Sequence, residues 1–327
     1  MNEGYSFKAT TPAGCSAVDR ESGLARSRMI VIVNRGTGHA HAETQARIEN
    51  LFQSHGAAVR LLVARNGDEV AALAEEAAQT DADVVVGAGG DGTIGVIAAT
   101  LAGSQKILAV LPLGTFNLFA KRVGIPLDLE AAVRTAVNGQ VAAINAGEVN
   151  GQTFLSRSGV GLYPLALRHR EKMFRRFERS RLIALLSGAT ALLRWGKVMT
   201  IRLTANTESY LFRSRFIFVC NNPEELDYFH LRGRECIDAG NFAVYLPKPQ
   251  TKGGILRLGV RLLAGKTEEN RDFEMVCARE LRLEIEPSRV PVSFDGEVRI
   301  MESPLRYRLR VGALRVRVPP TTDAERE

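Results

Sequence analysis

The sequence predicts an α/β domain of the doubly wound type followed by a second, β-rich domain. Three observations predict it. The first half alternates β-branched runs with helical stretches, two glycine-containing turns each follow a strand and open a helix, and beyond Asn138-Gly139 the pattern changes to strands separated by turn pairs. At 327 residues the chain is about twice the length of a typical domain, which suits this division.

The elements follow in order. Met29 to Val33 reads as a buried parallel strand, ending at the turn Asn34-Arg35-Gly36-Thr37-Gly38. A polar-faced helix from Ala40 to Ser54, a strand from Val59 to Val63 and an alanine-rich helix from Asp68 to Ala78 continue the rhythm. Asp83 to Val86 begins a third strand, Gly87 to Thr93 is a glycine-rich turn, Ile94 to Leu101 a helix, and Lys106 to Leu111 a fourth strand. After the helix Asp128 to Val137, a β-rich domain begins near Val141. It contains hairpin signals at Asn150-Gly151 and Asp295-Gly296, a long helical stretch from Pro164 to Trp195, and an amphipathic one from Thr251 to Leu263. Near the end, Leu305, Tyr307, Leu309 and Val311 alternate with Arg306, Arg308 and Arg310, giving a half-buried strand with a basic outer face. The organisation is thus a flexible tail over 1–27, the α/β domain over 28–140, the β-rich domain over 141–319, its last strands packing back on the first domain, and a flexible tail over 320–327.

Composition narrows the class. Hydrophobic residues at 45% and charged residues at 24% are globular values that exclude a fibrous or largely disordered chain. No run reaches the ~18 apolar residues of a spanning helix, and the first 27 residues lack the pattern of a secretion signal. Cys15, Cys220, Cys236 and Cys277 lie far apart in sequence, which argues against a zinc site or disulfide framework and for a reducing, cytoplasmic setting. The net charge is +7, and Arg168 to Arg181 holds seven basic residues against Glu171 and Glu178. Such a run beside the apolar stretch Leu182 to Leu186 fits an interfacial helix on an anionic membrane as well as it fits a core-packed helix. Nucleic acid is the weaker partner, since 6% aromatic residues provide few stacking platforms.

The strongest chemical signal is the strand Val84 to Val86 running into Gly87-Ala88-Gly89-Gly90-Asp91-Gly92-Thr93. Glycines there let backbone N–H groups approach phosphate oxygens at a helix N-terminus. The spacing satisfies G-x-G-x-x-G, but Val110-Leu111-Pro112-Leu113 stands where a dinucleotide fold needs its acidic ribose anchor, so a dehydrogenase is disfavoured. Asp91 would repel phosphates unless a divalent cation lay between them, which points to a metal–nucleotide complex; the bland alternative is a helix cap. The second turn, Leu111-Pro112-Leu113-Gly114-Thr115-Phe116-Asn117, places Thr115 and Asn117 on the same sheet edge. Asp295-Gly296-Glu297 taken alone is a hairpin turn.

Together, Gly89 to Thr93 and Leu111 to Asn117 resemble the diacylglycerol kinase catalytic family of lipid kinases. The resemblance runs from Asn34 to about Pro319 through Gly147 to Gly151, Gly161 to Pro164, Asn221-Asn222-Pro223 and Asp295-Gly296-Glu297. It implies a nucleotide-binding α/β domain, a β-sandwich-like lipid domain, and an active site in the cleft between them where ATP and Mg²⁺ phosphorylate a lipid hydroxyl. It further implies nucleotide contacts at Asn34, Gly38, Gly89, Gly90, Asp91, Gly92, Thr93, Thr115 and Asn117, with Asp91 at the metal and Glu297 as general base. Asp238 and Asp295 are the lesser metal candidates.

This chain departs from the family pattern at Arg35, where a proline is usual, and at Leu118 and Asn145, where aspartates are common, which implies a reduced or reorganised metal network. Ser156, Arg157 and Ser158 fall where the family lines its cleft. Glu224, Glu225 and Asp227 read as solvated, and His39, His41 and Glu43 as the start of a polar helix rather than a metal site. The expected partners are a lipid substrate and an anionic membrane surface, with a homodimer left open by a sheet edge in the second domain; the expected location is cytoplasmic, peripheral to the inner face of the membrane. The alternatives are a kinase resembling NAD kinases, which share the Gly-Gly-Asp-Gly-Thr loop, and a non-catalytic nucleotide- or lipid-binding protein, motivated by Leu118 and Asn145.

Overall fold

The computed structural model describes residues 28–35, 42–162, 164, 198–205, 208–228, 230–248, 251–263, 266 and 271–320. Gly38, the basic run 168–181, the remainder of the stretch 165–195 and the expected tails, save residue 320, lie outside the described residues.

The first four strands, β1 (Met29–Asn34), β2 (Val59–Ala64), β3 (Val84–Gly89) and β4 (Ile107–Pro112), form a parallel sheet in the order β2-β1-β3-β4. β1 and β3 are buried on both faces, which explains their continuous runs of Val and Ile. Helices α1 (Ala42–Ser54) and α5 (Leu129–Asn138) pack together, as do α2 (Gly67–Gln79) and α3 (Asp91–Leu101); α4 (Leu118–Arg122) follows β4. Helix starts are chemically marked. Asn66 Oδ1 accepts the Glu69 N–H (2.9 Å) while Glu69 Oε2 accepts the Arg65 N–H (2.8 Å), and Asp128 Oδ1 accepts the Ala131 N–H (2.9 Å). Because β2 and β3 flank β1 on opposite sides, the connections diverge between the carboxyl ends of β1 and β3. In an open α/β sheet that crevice is where ligands bind.

The sheet does not stop at β4. The 14-residue strand β16 (Leu305–Val318) pairs parallel to β4 at Arg315 and Val316 and antiparallel to β5 (Gln140–Val149). With β6 (Gln152–Phe154), β8 (Met199–Ala205), β9 (Glu208–Ser214) and β13 (Glu280–Glu286) it completes one ten-stranded sheet. A second, six-stranded antiparallel sheet has the order β12 (Phe273–Ala278), β11 (Phe242–Pro247), β10 (Phe216–Cys220), β7 (Arg157–Gly161), β14 (Arg289–Phe294), β15 (Glu297–Glu302). Its inner face and the outer half of the first sheet share one apolar cluster, centred on Phe154 stacked against Phe242 (5.8 Å) with Tyr307 edge-on to both. A smaller cluster lies under α6 (Pro223–Tyr228), α7 (Arg234–Asp238) and α8 (Lys252–Leu263).

Two expectations need correction. Val311 was expected on the buried face of β16 but is 54% exposed, because the register with β5 shifts between Arg310 and Leu314 and burial passes from Leu305, Tyr307 and Leu309 to Leu314, Val316 and Val318. Cys236 and Cys277, 41 residues apart, form a disulfide with Cα atoms 5.6 Å apart, since α7 packs on β11 and Cys277 pairs with Ala243 of that strand. Among the described residues, no helix is long and apolar enough to cross a membrane.

Candidate functional site

The glycine cluster is divided between strand and helix. Gly87 and Gly89 belong to β3, Gly90 is the N-cap of α3, and the helix starts at Asp91, three residues earlier than the sequence predicts. A Cβ on Gly89 would lie 2.6 Å from Thr93 Oγ1, so glycine there lets the first turn of α3 fold against the strand. Thr93 Oγ1 in turn accepts from Asn34 Nδ2 (2.9 Å), tying the end of β1 to the first turn of α3 at the crevice. Gly92 is exposed with open space around it. The first-turn N–H groups of a helix have no intrahelical acceptors, and those of α3 begin directly after the glycine cluster.

The second turn meets the first through backbone. A Cβ on Gly114 would stand 2.5 Å from Gly90 Cα. Asn117, at φ 50° and only 8% exposed, closes its own loop: Oδ1 accepts the Gly114 N–H (3.0 Å) and Nδ2 donates to the Gly114 carbonyl (2.9 Å). Its amide therefore builds the turn, while Thr115 and Phe116 are exposed on the rim. Asp91 caps α4 rather than its own helix, Oδ1 accepting the Phe119 N–H at 3.0 Å. Leu118 is buried.

The Asp295-Gly296 turn brings the second sheet to the same place. Asp295 and Gly296 both have positive φ, and the turn rests on α3: a Cβ on Gly95 would be 3.4 Å from Asp295 Cβ. Gly95 lies one helical turn beyond Asp91. The Asp295 carboxylate accepts the N–H groups of Leu155 (2.5 Å), Ser156 (2.9 Å) and Arg157 (3.0 Å). Burial holds its pKa above the ordinary carboxylate value, and these three N–H groups and the Arg157 charge offset that only in part. Both oxygens are thus engaged in fixing the hairpin. Glu297, the first residue of β15, is exposed, with Arg299 Nη2 3.4 Å away.

Residues 155–157 form the hub of this arrangement. The Leu155 carbonyl accepts from Arg122 Nη1 (3.0 Å) and Asn221 Nδ2 (3.2 Å), and Ser156 Oγ meets Asn222 Nδ2 at 3.2 Å. Arg157 forms a short ion pair with Glu225, which is 1% exposed. Glu225 is therefore not solvated as the sequence suggests. Asn222 Oδ1 accepts the Glu224 N–H and starts α6, which turns Glu225 inward while Glu224 and Asp227 pair with Arg234. Burial raises the pKa of Glu225; Arg157 lowers it, and the charges of Asp295 and Asp91 raise it further. Its Oε2 is buried without a hydrogen-bond partner among the described residues. No local motif marks this pair, whose members are 68 positions apart. Asn145, the other departure, accepts the Gly312 N–H (3.0 Å) at the irregularity in β16, so its amide serves the strand crossing.

These residues fit a phosphate-bearing ligand with a divalent cation. The exposed Gly92 and the first turn of α3 suit phosphate oxygens, and Asp91, with the electrostatically linked Glu225, provides oxygen donors nearby. Among the described residues no three His, Cys, Asp or Glu side chains gather into a closed metal site. Asp238 lies on α7, one turn from Arg234, whose charge it supports.

Residues 28–149 match the family model described as the diacylglycerol kinase catalytic domain. The chain is 38% identical over 106 residues to a "Probable lipid kinase YegS-like" of Klebsiella pneumoniae (strain 342), covering 32% of this chain and 36% of that one. It is 43% identical over 91 residues to a "Diacylglycerol kinase" of Bacillus subtilis (strain 168), covering 27% and 30%. The matched part thus spans about a third of these curated relatives' length. Its fold resembles the crystal structure of a diacylglycerol kinase from Bacillus anthracis str. Sterne with a TM-score of 0.64 at 18% identity, over 90% of this chain and 97% of the other. The likeness of fold therefore reaches well beyond the segment 28–149, whose sequence resembles the diacylglycerol kinase catalytic domain family.

Proposed function

We propose that the chain is an ATP-dependent lipid kinase, transferring the γ-phosphoryl group of ATP to a hydroxyl of diacylglycerol, ceramide or a related lipid. The observation that carries this reading is the docking of the Asp295-Gly296-Glu297 turn on α3, one helical turn from Asp91. On this reading a proton acceptor and a phosphate cradle, carried by different sheets, serve one reaction. In the reaction the lipid oxygen forms a bond to the γ-phosphorus, the bond from that phosphorus to the β–γ bridging oxygen breaks, and ADP leaves. The hydroxyl proton passes to Glu297, held in place by the clamped hairpin. The N–H groups of Asp91, Gly92 and Thr93 hold phosphate oxygens, and Thr115 contacts the nucleotide from the rim. Asp91 and Glu225 are the residues that would hold Mg²⁺, which when bound neutralises charge on the β- and γ-phosphates. A lipid substrate requires the protein to work at a membrane surface, and we place it in the cytoplasm, peripheral to the inner leaflet.

The test is transfer of labelled γ-phosphate from ATP–Mg²⁺ to mixed micelles of diacylglycerol, ceramide, sphingosine or phosphatidylglycerol, with Asp91→Asn and Glu297→Gln in parallel. Label in one lipid, lost in both variants, supports the reading and names the substrate. Label that survives Glu297→Gln moves the base elsewhere. ATP binding with no label in any lipid favours the non-catalytic reading, for which the engaged Asn145 amide and the buried Leu118 are the motivating features.

A further inference from the structure

Helix α8 is apolar on two opposite sides. Its inner side buries Ile255 (4% exposed) and Leu258 (2%), the latter in the cluster with Phe218, Tyr245 and Phe273. An ion pair of Arg261 Nη1 with Asp272 Oδ1 (2.6 Å; Asp272 side chain 3% exposed) pins its last turn. Thr251 Oγ1 accepts the Gly254 N–H (3.1 Å) and fixes its start. The helix is therefore held in one orientation, and its outer side is displayed rather than free to roll inward. That outer side is Gly253, Leu256, Arg257 and Val260, spaced i, i+3, i+4 and i+7, with Leu256 51% and Val260 57% exposed. A single exposed leucine is ordinary, but an aligned apolar pair on a fixed helix beside a cation is not. The helix contains Lys252, Arg257 and Arg261 and no acidic residue, and Lys266, tied by its N–H to the Arg261 carbonyl (2.9 Å), extends the positive charge beyond its end.

Exposed apolar side chains beside Arg257, on a helix whose own charged residues are all basic, complement an anionic bilayer, where acyl chains take the first and headgroups the second. We propose that the outer face of α8 is a membrane-docking surface, with Leu256 and Val260 entering the acyl boundary and Arg257 at the headgroups. This deepens the lipid-kinase reading by naming the face presented to the substrate's membrane, but binding is measured without ATP, substrate or turnover, so either can fail alone.

The experiment is sedimentation of the full chain with vesicles of phosphatidylcholine, with and without 30% phosphatidylglycerol (about a third, a usual anionic load). The proposal expects the double variant Leu256→Glu/Val260→Glu to lower partition onto anionic vesicles more than about tenfold, and Arg257→Glu to lower it about fivefold, with the Arg257 effect fading in high salt. Circular dichroism and solution mass of each variant accompany the measurement. Leu256→Trp provides a second readout, an emission blue shift on anionic vesicles relative to the parent chain. Unchanged partition by folded variants together with an unshifted tryptophan overturns the proposal and moves binding to another surface. A change of solution mass in place of vesicle binding also overturns it, by making the face a contact between copies of the chain.

Discussion

Glu225 illustrates how a buried charge is retained at a cost to stability. Taken out of water and placed near the negative charges of Asp295 and Asp91, its carboxylate holds its proton above the ordinary value of 4.5, with Arg157 only partly offsetting the burial. The unfolded chain therefore ionises Glu225 first. Its stabilising share is complete below about pH 4.5 and is lost as the pH rises through the folded-state pKa. Glu225→Gln should flatten that slope in urea melts taken across this range, and an unchanged slope would assign it to other groups. Glu225→Ala strands the Arg157 guanidinium and should cost about 3 kcal/mol, whereas the joint change Arg157→Met/Glu225→Leu should recover most of that loss. Phosphoryl transfer would remain impaired in all of them if the pair serves the site. Asp91 provides the contrast. Asp91→Asn keeps an oxygen for the Phe119 N–H, so stability should move by less than about 1 kcal/mol while transfer falls at least about a hundredfold.

At the scale of elements, two glycines in adjoining turns should behave oppositely. Gly114→Ala would drive a methyl into the Gly90 backbone, which has no side chain to move aside, so it should cost about 1–3 kcal/mol and weaken ATP binding. Gly92→Ala meets nothing within 4 Å and should melt within about 1 kcal/mol of the parent chain. Equal losses in the two would show that the turns are not in contact. This contrast also marks what the sequence reveals. The strand–glycine–helix order and both turn motifs are local, so β3, α3, β4 and the Asn150-Gly151 and Asp295-Gly296 hairpins are readable from neighbouring residues. The three N–H groups on Asp295, the Glu225 partner of Arg157 and the Cys236–Cys277 bridge join positions 41 to 140 apart, and no periodicity encodes them. Val311 failed for a related reason: alternation predicts a face only while the pairing register continues, and here it shifts beside Asn145.

The whole molecule is joined by β16. Its first half closes the outer part of the ten-stranded sheet against β13 and β5, and its second half supplies Leu314, Val316 and Val318 to the core of the α/β domain. The end of that strand meets the end of α5 so closely that a Cβ on Gly139 would lie 2.5 Å from the Val318 carbonyl, and Arg317 donates to the Gly139 carbonyl. The boundary near residue 140 is thus a change of texture in sequence but not a gap in the sheet, because β4 lacks its neighbour until the chain returns from its far end. A chain ending at Gly312 should consequently fail at the α/β domain, where the cut removes three buried side chains worth roughly 1.5–3 kcal/mol each, comparable to the 5–15 kcal/mol that holds a typical domain. Its melting should lose cooperativity and ATP binding together, although Asp91, Thr115 and Glu297 are all still present. Separate expression of residues 28–140 should give the same loss. A cooperative melt from that fragment would instead make the first four strands self-sufficient and reduce β16 to an edge that covers them.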